Sequence, residues 1–153
     1  MKKKAIIVDM DGTLVDVRSI RHHLIPPTPK PKGWYKDFHA FHMESVSMPV
    51  IQSTKDAVTR AHMMGVDVVV VTARRHMYRH PTAWFLALNG IHSDALIMRG
   101  NKDGRVDHEV KADMLNQIVK RWDVLHAYDD RKDIAKVWES AGISTTLVDG
   151  FSF

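Results

Sequence analysis

The stretch Ala5-Ile6-Ile7-Val8-Asp9-Met10-Asp11-Gly12-Thr13 decides how this chain reads: an apolar run, two carboxylates one residue apart, then a glycine. Ala5 to Val8 is short, continuous and rich in branched residues, the pattern of a strand buried on both faces. The carboxylates therefore emerge at its C-terminal end, where open α/β sheets place their ligands. Residues two apart on an extended chain point the same way, so Asp9 and Asp11 face one site unless the turn re-aims one of them, and Gly12 permits the sharp exit. Acids this close repel, and a divalent cation is the natural remedy. A calcium-binding loop has a related pattern, but it follows a helix and closes with a glutamate at its twelfth position. Here a strand-like run precedes, and Arg18-Ser19-Ile20 occupies the equivalent region. The plainest alternative is an Asp-Gly turn after a strand, with no further role.

Outward from that strand, apolar runs alternate with helix-period segments, which predicts an α/β fold, a parallel sheet flanked by helices. Pro26-Pro27-Thr28-Pro29-Lys30-Pro31-Lys32-Gly33 is extended or turn and cannot be helix. Beyond it Trp34, Phe38 and Phe41 fall at helical spacing. Residues 15–50 thus read as an insert after the first strand: a short helix packing its aromatics onto the body, or a small lid whose aromatic and basic side chains touch a substrate. Ser53 or Thr54 is expected to cap a helix running to about Met64, which Gly65 ends. Val66 to Val71 is the second strand and delivers Thr72-Ala73-Arg74-Arg75. A helix over 82–88 follows, then a third strand from Ala95 to Met98 and a tight turn over Asn101–Arg105. Helices from Glu109 to Arg121 and Asp133 to Ser140 bracket a strand from Val124 to Tyr128, and Thr145 to Val148 is the last strand. No repeat and no second domain is visible, so the 153 residues read as one domain, long enough to bury a core without staples.

Composition narrows the chemistry. With no cysteine there is no disulfide framework, thiolate metal site or thiol nucleophile. Met1-Lys2-Lys3-Lys4 is followed by too few apolar residues for a signal peptide and no run approaches a membrane span, so a cytoplasmic protein without a membrane partner is expected. A formal charge of +4 and a pI near 9.4 suit a polyanionic partner without requiring one.

Three further features lie after strands or at helix starts. Thr72 supplies a hydroxyl suited to phosphate oxygens, although alone it reads as a cap or strand-end hydrogen bonder. Lys111 falls in the first turn of its expected helix, where a cation opposes the macrodipole unless an anion is near. Asp129-Asp130 ends the fourth strand and Asp133 follows; a helix cap explains one of these acids but not three. Among ten histidines, His76 and His80 have the spacing of a helical metal pair, but Pro81 follows and no third ligand is evident. Arg74, Arg75, Arg79, Arg99, Lys102 and Arg105 are candidates for a basic rim along a nucleic-acid backbone, with an ordinary solvated surface as the alternative.

In order, Asp9-Met10-Asp11-Gly12-Thr13, Thr72, Lys111 and Asp129-Asp130 match the four motifs of the haloacid dehalogenase-like phosphatase superfamily, which the chain resembles over nearly its whole length. Within that superfamily it is most similar to the 3'-phosphatase domain of bacteriophage polynucleotide kinase. The similarity rests on Val68-Val69-Val70-Val71-Thr72-Ala73-Arg74, on Arg105-Val106-Asp107, on Ala127-Tyr128-Asp129-Asp130-Arg131, and on Val137-Trp138-Glu139 with Ala141-Gly142-Ile143. Serine and glycine usually stand where Thr72 and Ala73 stand here. A kinase half would need Gly-x-x-x-x-Gly-Lys before Ser or Thr; none of the eight glycines begins such a run, so no kinase activity of that type is expected.

The resemblance implies a Rossmann-like fold and a magnesium-dependent phosphatase with assigned roles. Asp9 is the implied nucleophile, forming an aspartyl-phosphate. Asp11 is the implied acid and base, so its pKa is expected to lie above that of Asp9. Mg2+ would be held by Asp9, the main-chain carbonyl of Asp11, and Asp129 or Asp130, with the choice between those two left open. Thr72 and Lys111 would hold the transferring phosphoryl group, with Gly12, Ala73 and Arg74 contributing to substrate binding. The implied substrate is a 3'-phosphate at a DNA or RNA end. Nucleotides or other small phosphate esters are the alternative substrates, and a catalytically silent end-binding module is the rival class. The oligomeric state is not legible.

Overall fold

In the computed structural model, which describes residues 1–153, β1 (Lys3–Val8) is the central strand of a five-stranded sheet. On one side it pairs with β2 (Asp67–Arg75), which in turn pairs with β3 (Ala95–Arg99). On the other it pairs with β4 (Trp122–Asp129), which carries β5 (Thr145–Leu147) at the edge. Every pairing is parallel, as the strand–helix alternation predicts, because helical crossovers bring each strand back in the same direction. Strand order reverses beside β1, and such a switch point opens a crevice at the C-terminal strand ends.

Five helices cover the two faces: α1 (Phe38–Glu44), α2 (Gln52–Met63), α3 (Arg79–Leu88), α4 (Asp107–Arg121) and α5 (Lys132–Ser140). Alternate residues of β1 and β2 feed two separate cores. Ile6, Val8, Val68 and Val70 pack with Val58, Phe85 and Phe41 on one face. Ala5, Ile7, Val69 and Val71 pack with Val110, Met114, Ile118, Ile134 and Trp138 on the other. Double-sided burial is why the strands read as continuous apolar runs rather than alternating ones. No helix is long and apolar enough to cross a membrane.

Several local expectations are corrected. Neither Ser53 nor Thr54 caps α2: the helix starts at Gln52 after extended Ile51, no side chain caps it, and Thr54 is buried inside it. Trp34 lies outside α1, which begins at Phe38 behind an Asp37 cap whose carboxylate accepts from the Ala40 N–H at 3.0 Å. Thus only Phe38 and Phe41 share the helix, Phe41 buried and Phe38 half exposed. The second strand runs on through Thr72 to Arg75, its register shifting between those residues because the Arg99 Nε–H donates to the Ala73 carbonyl at 2.9 Å. Helix α3 starts at Arg79, so Pro81 sits in its first turn, where a missing N–H costs nothing. Helix α4 starts at Asp107, with Asp107 and Glu109 in the first turn, so Lys111 lies beyond that turn. Its charge is therefore not opposing the orphan N–H groups.

Candidate active site

Asp9 leaves the end of β1 in a tight loop that folds back on Met10, whose carbonyl accepts the N–H groups of Thr13, Leu14 and Val15 at 3.1, 2.8 and 3.0 Å. Gly12 makes this reversal possible at φ +77°. A Cβ at that position would lie 2.7 Å from Asp130 Cγ and 2.9 Å from Ser152 Cβ, so the glycine is also what lets the loop approach the end of β4. Replacing Gly12 with alanine is expected to cost about 1–2 kcal/mol for the left-handed backbone alone. Displacement of Asp130 should add a loss of Mg2+ affinity, measured by calorimetry, with the far-UV circular dichroism unchanged.

Lys111 reaches across from α4. Its ammonium donates to Asp9 Oδ1 and Asp129 Oδ2, each at 2.9 Å, and the side chain is 3 % exposed. Burial alone would lower its pKa, but Asp9 and Asp129 reverse the sign and hold it above the ordinary lysine value, so it stays charged. Asp9 faces the opposite pressures. Burial raises its pKa, Lys111 opposes, and Asp129 and Asp130 raise it further, leaving it well above the usual carboxylate range. The potential ligand oxygens of Asp9, Asp129 and Asp130 lie within 4.8 Å of one another. Thr13 Oγ1 sits between two of them, 3.3 Å from both Asp9 Oδ2 and Asp130 Oδ1. Three carboxylates against one ammonium leave excess negative charge, and an all-oxygen donor set suits Mg2+. The residues present therefore fit that ion.

Asp11 is re-aimed by the turn. Arg74 clamps it with two bonds, Nε–H to Oδ2 at 3.0 Å and Nη2–H to Oδ1 at 2.5 Å, and also donates to Thr82 Oγ1 and Ser45 Oγ, each at 3.0 Å. Burial would raise the Asp11 pKa, but the adjacent guanidinium outweighs it and holds the carboxyl below its usual value. The expected order of the two acids is thus reversed: at Asp9 burial and the neighbouring Asp129 and Asp130 outweigh Lys111, whereas at Asp11 the guanidinium of Arg74 outweighs burial. The Asp11 carboxylate also stands outside the three-carboxylate group, which leaves its main-chain carbonyl as its only candidate donor.

A cavity of about 770 Å³ opens over these groups and is lined by Asp9, Asp11, Thr72, Ala73, Arg74, Lys111 and Asp130 among others. Gly12 and Asp129 do not line it. The carboxylate oxygens of Asp129 are turned inward, to Lys111 and to the Arg131 N–H at 3.2 Å. Thr72 is buried, and its Oγ1 accepts from the Arg74 N–H at 3.1 Å. Asp133 is not part of the cluster; it is an exposed partner of Arg131. His76 and His80 are exposed and belong to no potential ligand group.

The expected basic rim divides. Arg74 and Arg99 are buried, and Arg99 is committed to the carbonyls of Ala73, Asp103 and Arg105 and to the Asp107 carboxylate. Arg75 and Arg105 do line the cavity, joined by Arg131; Arg79 and Lys102 do not. Phe38 and Phe41, offered by the sequence as aromatics of a possible lid, do line the cavity; sequence reasoning missed His42, Tyr78 and Phe153, which line it with them. His42 packs 4.5 Å from the Tyr78 ring and is pushed down to about 4, chiefly by burial and then by Arg74, so it is neutral at physiological pH. Its only sequence signal was its place one residue after Phe41.

A family model described as the polynucleotide kinase PNKP phosphatase domain matches residues 3–153. A structure described as the Pnkp1/Rnl/Hen1 complex superposes with a TM-score of 0.81 at 23% identity, covering 99% of this chain and 48% of that one. A second, described as the Pnkp1/Rnl/Hen1 RNA repair complex, gives the same score and identity and is covered over 44% of its length. This chain therefore spans about half of those proteins. The class C acid phosphatase from Bacillus anthracis with tungstate bound superposes with a TM-score of 0.72 at 15% identity, covering 100% of this chain and 69% of that one. At these identities the superpositions establish the fold.

Proposed function

The chain belongs to the polynucleotide kinase PNKP phosphatase domain family, a group of haloacid dehalogenase-like phosphatases, and from that premise we propose that it removes 3'-phosphates from polynucleotide ends by way of a phospho-Asp9 intermediate. The observation carrying the chemistry is the pairing of two carboxylates with two different cations in one cavity. Asp9 is held beside Lys111, and Asp11 beside Arg74. A carboxylate oxygen of Asp9 attacks phosphorus, the bond from phosphorus to the sugar oxygen breaks, and Asp11 delivers a proton to that oxygen, a role that requires it to be protonated at that moment against the pull of Arg74. Water then cleaves the acyl-phosphate while Asp11 takes the proton back. Mg2+, held by Asp9, Asp130 and the Asp11 carbonyl, would neutralise charge on the phosphoryl oxygens. Asp130 is preferred over Asp129 because Asp130 lines the cavity. Lys111 and the Thr72 hydroxyl hold the transferring group in place.

The polynucleotide assignment draws on the rest of the cavity. Beside the carboxylates stand aromatic rings on one wall and Arg75, Arg105 and Arg131 on another, a combination suited to a base and its neighbouring phosphates. By the same reading, the RNA repair setting of Pnkp1 makes RNA 3' ends the first substrate to test. Phosphate release is compared on 3'-phosphorylated RNA and DNA oligonucleotides, 5'-phosphorylated oligonucleotides and 3'-mononucleotides, with and without Mg2+. The 3'-phosphorylated oligonucleotides should be preferred, with KM rising as salt increases. Equal rates on all substrates would defeat the polynucleotide assignment, and no release from any would defeat the phosphatase one. Cytoplasmic location belongs to the same proposal.

Arg74→Gln offers a separate check on the acid–base role. Freed from the guanidinium, Asp11 should hold its proton to higher pH. The basic limb of the pH–kcat profile should then move up relative to the parent enzyme, alongside a lower kcat; an unmoved limb would assign that ionisation to another group.

A further inference from the structure

Between β1 and α2, the 3-10 turn Arg18–His23 meets α1, and the Asp37 N–H donates to the His23 carbonyl at 2.8 Å. The potential ligand atoms of His22, His23 and Glu44 lie within 4.8 Å of one another there. The two imidazoles are neighbours in sequence yet fold together, with ring centroids 4.1 Å apart. His23 Nε2 is sealed from solvent and makes no hydrogen bond, although Glu44 Oε2 lies 3.1 Å away. A buried imidazole nitrogen without a hydrogen bond costs free energy, and a metal ion bound by it and by the Glu44 carboxylate would relieve that cost. Two donors on one tetrahedral zinc, at bond lengths of about 2.0–2.1 Å, are separated by roughly 3.3 Å, close to the spacing observed.

We propose that His22, His23 and Glu44 form a second divalent-cation site, separate from the oxygen-only cluster and taking a late first-row ion of the zinc class. Two imidazoles and one carboxylate favour such ions over Mg2+, which prefers oxygen donors alone. The site ties the Arg18–His23 turn to the C-terminal end of α1. Both elements reach the substrate cavity: Leu24 follows the turn, and Phe41 and His42 belong to α1. Occupancy therefore stiffens one wall of the cavity without contributing a ligand to the reaction.

The test uses chelator-stripped protein in excess Mg2+, titrated with Co2+ by visible absorption and with Zn2+ by calorimetry. One equivalent of each should bind. His22→Ala and His23→Ala should each weaken binding by more than the about 10–100-fold that loss of an outer-shell partner costs, and Asp129→Asn should leave it unchanged. His22 is exposed, so its variant keeps the fold if the His23 variant does not. Hydrogen exchange over residues 18–44 should slow on adding Zn2+ to the parent protein and not to His22→Ala. Absence of binding, or binding indifferent to both histidine substitutions, overturns the site. Binding without slower exchange overturns the tie to α1.

Discussion

Asp9→Asn should lower kcat by on the order of 10³-fold or more, because it removes the carboxylate proposed to form the covalent intermediate, while making the metal-free protein more stable. The second half follows from the charge balance. An acid whose pKa is raised in the folded state binds more protons folded than unfolded, so stability falls as pH rises from the ordinary carboxylate value through the raised one. The penalty grows with pH over that interval, and asparagine, which carries no charge, removes it. Thermal melts in chelator should therefore show Asp9→Asn above the parent, and Mg2+ should raise the parent's Tm more than the variant's. A variant that is inactive but less stable in chelator would mean that the Lys111 bond outweighs the repulsion from Asp129 and Asp130.

Lys111→Met should be destabilising by about 3–5 kcal/mol in urea unfolding, the usual cost of leaving buried charges without their partner. Asp9 and Asp129 would then face each other across the gap, both buried. The raised pKa of Lys111 means its contribution is complete at neutral pH and is lost only as pH climbs through the folded-state value, far into the alkaline range. Two consequences separate this from a simple packing defect. The gap between variant and parent should narrow at mildly acidic pH, where the stranded carboxylates take up protons. Adding Asp9→Asn to Lys111→Met should recover part of the loss, a coupling measurable by a double-mutant cycle. Phosphatase activity should be lost in both backgrounds.

The sheet, its direction and the place where the candidate residues converge were legible because they depend on runs of Val and Ile and on which residues follow them. Asp9 and Asp129-Asp130 stand at strand ends, which periodicity finds well, whereas Thr72 lies inside β2 and Lys111 past the first turn of α4. What stayed hidden was decided by long-range partners. Arg74 reads as a free cation after a strand, yet it is buried under Ser45 and Thr82, residues 29 and 8 positions away. Its grip on Asp11 inverts the expected order of two acids that look equivalent in sequence. The aromatic side of the cavity was legible only in part, in Phe38 and Phe41. The helical spacing of Trp34 with Phe38 and Phe41 extends through a segment where proline and glycine upstream and the Asp37 cap set a later start. Tyr78 and Phe153 lie in other elements altogether and meet that helix only in the folded chain.

The central position of β1 has a consequence for how the chain is made. Its partner residues on β4 arrive late: Ile7 pairs with Ala127, about 120 residues downstream. At a synthesis rate of about 5–20 residues per second, one edge of the central strand waits roughly 6–24 s for its neighbour. Until β4 has been made, the nascent polypeptide has neither a partner for that edge nor the Asp129-Asp130 pair, and a chain that stops earlier keeps an unpaired, aggregation-prone edge.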